Sequence, residues 1–208
     1  REEMEIFSII NSKAKGLSTS LLDYHESRLI SDLAVEKPEL YVALYLNDHT
    51  ESPWYKQLDL GGERTSGIIR KASLRTMQKA VKRFLFQTNI LSDTGPETVA
   101  KLISDFWSAI AGLLANEWAN PRKHFLTKGI GVYSLMSLAA DLYQESHIQK
   151  EQYDINYFSG VLSDFIYFID WSSSGHFVGL GGESGVQQAL EIIRMTRHKS
   201  KLKMVSHG

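Results

Sequence analysis

From Ser73 onward the apolar residues of this chain return every three or four positions in one stretch after another, a period that admits a helical bundle and little else. Leu74, Met77, Val81 and Phe84 form the first stripe, starting just after Ser73. Val99, Ile103, Phe106, Ile110, Leu113 and Leu114 form the second. Thr94 followed by Glu97 has capping-box spacing, and the pair predicts one helix of about seven turns running toward Asn120 and Pro121. Three more stripes follow. Leu135, Leu138, Ala139 and Leu142 come after Gly129 and Gly131, and Phe158, Val161, Leu162, Phe165 and Ile169 come after a capping Asp154. Val186, Leu190 and Ile193 come after the glycine cluster GLGGESG at 179–185.

The N-terminal part is mixed. Residues 1–11 read as a helix, and the cluster Ser18, Thr19, Ser20, with Asp23 three positions beyond Ser20, predicts the N-cap of a helix carrying Leu22, His25, Leu29 and Leu33. Pro38 suits a first helical position, whereas LYVALYL at 40–46 also suits a strand. Between Ser52 and Ile69 the pieces YKQLDL and GII, set among Gly61, Gly62 and Gly67, predict a small hairpin. The expected class is mainly α, a C-terminal helical bundle with a small α/β N-terminal part. The polar stretch at 89–95 sets the expected boundary between residues 1–90 and 91–208.

Composition narrows the function. No apolar run reaches the roughly 20 residues that span a bilayer, so no membrane association is expected. Zero Cys excludes disulfides, thiolate zinc sites and cysteine nucleophiles, and fits a reducing, cytoplasmic setting. The seven His residues lack HExxH or HxxxH spacing, so no metal is expected. No Walker A loop, GxSxG elbow or other catalytic motif is present, and no catalytic residue follows from spacing. With 23 basic against 24 acidic residues the chain is no general polyanion binder, and any nucleic-acid face must be local.

One such face stands out. Arg70, Lys71, Arg75, Lys79, Lys82 and Arg83 place six cations within 14 residues with no acid among them. At about 100° per residue, Arg75, Lys79, Lys82 and Arg83 share an arc of about 100° opposite the Leu74, Met77, Val81, Phe84 stripe. Such a helix can lie along phosphates. A solvated charged face is the plainer reading of the same pattern. The tail from Arg194 adds Arg197, Lys199, Lys201 and Lys203, which complement a helix C-terminus as readily as they hold nucleic acid. The four Trp, at 54, 107, 118 and 171, and the run Phe165, Tyr167, Phe168 read as core at helical spacing. The glycine cluster reads as an interhelical loop.

The stretches INSKAKGLSTSLLDY at 10–24 and LNDHTESPWYKQLDL at 46–60 resemble the part of DGQHR-domain proteins that follows the motif naming that family. The matching positions are Asn11, Lys13, Lys15, Ser18, Leu46, Asn47, Ser52, Pro53, Trp54 and Tyr55, and the likeness continues through FWSAIAGLLANEWAN, TKGIGVYSL and GLGGESGVQQAL. The resemblance implies a relative of ParB-like proteins, whose DGQHR branch includes DndB-type regulators of bacterial DNA-modification and phage-defence systems. It implies DNA as a partner, with homo-oligomers or DNA-modification enzymes as further ones. The chain begins at Arg1 and contains no DGQHR motif, which is expected upstream. Any nucleotide cofactor, hydrolase or nuclease chemistry would then lie mainly in that upstream part, with Asn11, Lys13 and Lys15 offering phosphate contacts from this side. A helical interaction or oligomerisation module is the third expectation.

Overall fold

The computed structural model describes residues 18–61, 71–149 and 152–205. The expected first helix at 1–11, the GII piece at 67–69, and Asn11, Lys13, Lys15 and Arg70 lie outside them. Among the described residues the chain is mainly helical, with nine α-helices and one pair of two-residue strands. No helix among them is long and apolar enough to cross a membrane.

Helix α1, Thr19–Ser27, is capped by Ser18, whose Oγ accepts from Leu21 N at 3.2 Å. Ser18 is thus the member of the expected Ser18, Thr19, Ser20 cluster that caps, while Ser20 is buried and accepts from Arg75 N at 3.2 Å. Nor does the helix reach Leu33. Asp32 accepts from Val35 N and starts a separate short helix α2, Leu33–Glu36, so a second cap closes off the longer helix expected from spacing. Pro38 decides the ambiguous apolar stretch in favour of a helix. Its fixed φ opens α3, Pro38–Asp48, which buries Leu40, Val42, Ala43 and Leu46.

Strand β1, Leu58–Asp59, pairs in parallel with β2, Ala72–Ser73, a clasp that the sequence reading did not include; the second arm of the expected hairpin lies outside the described residues. Asn47 positions it, its Oδ1 accepting from Leu58 N at 3.1 Å. Ser73 then caps α4, Leu74–Thr88, by accepting from Thr76 N at 3.1 Å, as its place before the apolar stripe predicts.

The expected seven-turn helix is two. Thr94 donates its hydroxyl back to Ile90 O at 3.1 Å rather than capping, and α5, Pro96–Leu113, begins behind Gly95 with Pro at its first turn. The chain leaves helical geometry at Leu114 (φ −111°, ψ 49°) before α6, Ala115–Ala119. That break buries Leu114 and sets the Trp118 ring 5.0 Å from Trp54.

Helix α7, Gly129–Gln149, opens where Gly131 passes so close to the preceding loop that a Cβ there would lie 2.3 Å from Phe125 O. Asp154 caps α8, Ile155–Ser163, accepting from Asn156 N and Tyr157 N at 3.0 Å. The helix stops short of Ile169, and a 3₁₀ turn at Ile166–Phe168 follows. The last helix, α9, is Gly182–Val205.

Helix α4 packs on α7, α9 lies along α7, and α5 joins α3 to α8. One hydrophobic cluster runs from Leu40 to Ile193, drawing on both sides of the 89–95 stretch. Trp54, Trp107, Trp171 and Phe165 are fully enclosed in it, so these rings are core, whereas Tyr167 and Phe168 are exposed.

The tail helix is tied down by its own charges. Arg194 grips Asp141 with two bonds of 2.8 Å, and Arg197 grips Glu145 at 2.6 and 2.7 Å. Lys201 approaches the same Glu145 at 3.6 Å. These successive pairs make α7 and α9 run in the same direction. The Arg197 guanidinium holds the Glu145 carboxyl below its ordinary range. A carboxyl depressed in the folded state adds stability above its unfolded pKa and loses it as pH falls through the folded value. Glu145→Gln is therefore expected to lower the melting temperature at neutral pH, with the gap to the parent closing below about pH 4. Thermal melts of both proteins across that range check it; a constant gap would mean that the pair contributes nothing through its charge.

Candidate nucleic-acid interface

Helix α4 presents the basic face as its period requires, for Leu74, Met77, Val81 and Phe84 are all fully buried on the opposite side. The cations on that face divide by partner. Lys71, just before the helix, turns inward: its Nζ donates to Gln57 Oε1 at 2.9 Å and sits 5.3 Å from the Trp118 ring. Burial lowers its pKa. Arg75 donates through Nη1 to both oxygens of Asp23, at 2.8 and 3.0 Å, and the Asp23 side chain is only 10% exposed.

Arg83 makes a two-pronged pair with Glu183, Nη1 to Oε1 at 3.1 Å and Nη2 to Oε2, while its guanidinium lies 4.6 Å from the Tyr133 ring. Arg83 first, and Gln187 second, keep the Glu183 carboxyl below its usual range. Glu183 also stands in the first turn of α9, where the glycine loop ends at Gly182 with φ +63°. A resident carboxylate therefore already occupies the positive end of that helix, which disfavours an anion there. The glycine cluster acts as the expected interhelical connector.

Lys79 and Lys82 differ from these. Both are exposed, and neither forms an ion pair among the described residues. With Arg75, Gln78 and Glu39 they line a shallow groove of about 160 Å³. Glu39 tempers the groove. Three cations against Glu39 and the Asp23 bound to Arg75 leave a net charge of +1.

A residue that charge counting passes over completes the face. Phe86 is 88% exposed, among the most open apolar side chains described. Arg75, Lys79, Lys82 and Phe86 sit at steps of four, three and four, within about 60° on the helix. Extending the cationic stripe by one turn in the sequence would have found it.

The tail offers less. Arg194, Arg197 and Lys201 are committed to acids of α7, Lys199 is exposed, and the side chain of Lys203 lies outside the described residues. In the polar loop after α8, Asp170 N donates to His176 Nδ1 at 2.8 Å and Ser172 N donates to Asp170 Oδ1 at 2.9 Å. These are turn contacts, and among the described residues no serine hydroxyl bonds the imidazole. Among the described residues no three His, Asp or Glu side chains converge as metal ligands. No protein-family model, no curated protein and no solved structure matches the chain.

Proposed function

We propose that this chain contacts DNA through the exposed face of α4, as an accessory component of a bacterial DNA-modification or phage-defence system of the DGQHR type. The observation that carries the contact is the pair Lys79 and Lys82, exposed and without an acidic partner among the described residues, while Arg75 and Arg83 are engaged. The biological setting, and a ParB-like domain completed by residues 1–90 beside a helical 91–208, rest on the resemblance set out above. On the same ground, nucleotide or cleavage chemistry belongs to the segment bearing the DGQHR motif.

Magnitudes make the contact an accessory one. If counterion release drives binding, each neutralised phosphate contributes about 1.5 decades of affinity at about 20 mM salt. Two lysines then give a dissociation constant of about 1 mM on duplex DNA. Useful affinity has to come from further contacts made by the same assembly, where linkage multiplies weak modules.

The groove supplies a test in the gaining direction. Glu39→Gln removes an acid that shares the groove with both lysines; its repulsion of a phosphate held about 8 Å away in water is worth about 0.5 kcal/mol, so the change gives a two- to threefold gain in DNA affinity. Fluorescence anisotropy with a labelled duplex at low salt measures it. Unchanged or weaker binding would take the groove out of the account.

An interaction module is the second reading, and it has its own support. Phe168 is 67% exposed beside Thr196, Lys199 and Ser200 of α9, where Met195 and Leu202 are also exposed. Light scattering across a concentration series distinguishes self-association through this surface from a monomer that uses α4 alone.

A further inference from the structure

We infer that the α4 face takes unpaired nucleic-acid strands in preference to duplex, with Phe86 as the platform on which a base stacks. The inference rests on the DNA-contact reading and adds to it the form of the nucleic acid. Phe86 projects from the cationic face with 88% of its surface open, on the same line as Lys79 and Lys82. A ring so placed is of no use to the core, whose aromatic residues on this helix end with the buried Phe84.

The spacing suits a flexible strand. At about 1.5 Å rise per residue, Lys82 and Phe86 lie about 6 Å apart along the axis and Lys79 about 4.5 Å further back. Two ammonium groups can therefore hold successive phosphates while the neighbouring base lies over the ring. A duplex keeps its base faces stacked inside, and reaching them with an inserted ring requires unstacking a step. A single strand offers each base face without that cost, and stacking on an aromatic side chain is tolerant of sequence.

The charge balance points the same way. The two lysines alone supply too little for firm duplex binding, whereas stacking improves single-strand affinity about five- to hundredfold per base. The lower charge density of a single strand offsets part of this, so the expected preference over duplex is up to about thirtyfold.

The test is a titration of the full chain against fluorescein-labelled oligo-dT and a mixed-sequence duplex at low salt, with Phe86→Ala, Phe86→Trp and Lys79→Glu/Lys82→Glu variants. Phe86→Ala is expected to weaken oligo-dT binding about five- to hundredfold, to weaken duplex binding much less, and to be rescued by Phe86→Trp. The lysine variant is expected to lose both ligands. Duplex binding as tight as oligo-dT binding, or an equal effect of Phe86→Ala on both, would overturn the strand preference while leaving the DNA contact standing. Absence of binding to either ligand by the parent chain would remove the contact itself, and the preference with it.

Discussion

Replacing Lys79 and Lys82 together by Glu is expected to abolish the proposed DNA binding and to leave the melting temperature where it was. At about 20 mM salt the two lost phosphate contacts remove about three decades of affinity, and two introduced carboxylates then repel the backbone as well. The fold has no stake in either side chain. Both are exposed, neither is paired among the described residues, and Glu is as good a helix former as Lys. Anisotropy titrations beside thermal melts separate the two effects. A variant that binds like the parent moves the contact away from this helix; one that unfolds means that the lysines serve a structural role the geometry does not account for.

Trp107→Ala has the opposite signature. This ring is fully buried, edge-on to Trp54 at 5.1 Å and to Phe106 at 5.7 Å, and 6.0 Å from Trp118. Truncating it removes a large apolar surface and leaves a cavity between α5, α6 and the segment that carries Trp54, at a cost of about 3–5 kcal/mol. Domains of this size retain about 5–15 kcal/mol in total, so the loss is a large part of the whole. Chemical denaturation should show the midpoint falling with little change in slope. A change below about 1 kcal/mol would contradict the placement of this cluster at the centre of the core.

The contrast between these side chains marks what the sequence makes legible. Ser73 and Asp154 are readable as caps because each bonds an amide two or three positions ahead, a contact that spacing encodes. Ser20 and Thr94 have the same chemistry and spend it elsewhere, one on an amide 55 positions away and the other on a carbonyl behind it. The break at Leu114 leaves no mark because the apolar period continues across it; burying Leu114 and turning Trp118 onto Trp54 are tertiary demands.

The basic face divides the same way. Its orientation follows from periodicity alone. Its depletion does not, for Arg75 meets Asp23 at a separation of 52 residues and Arg83 meets Glu183 at 100, distances at which no local pattern operates. A stripe of cations on a helix therefore specifies where charge points, while the free charge depends on acids brought in by the fold. Here that arithmetic leaves Lys79 and Lys82, with Phe86 beside them.

The most direct measurement is the slope of the logarithm of the binding constant against the logarithm of salt concentration, for this chain and for its Lys79→Glu/Lys82→Glu form. Two phosphate contacts predict a slope of about −1.8 on duplex and about −1.4 on a single strand for the parent, with no measurable binding by the variant. A parent that binds no DNA at low salt, or a variant that keeps the parent's affinity and slope, would contradict the account.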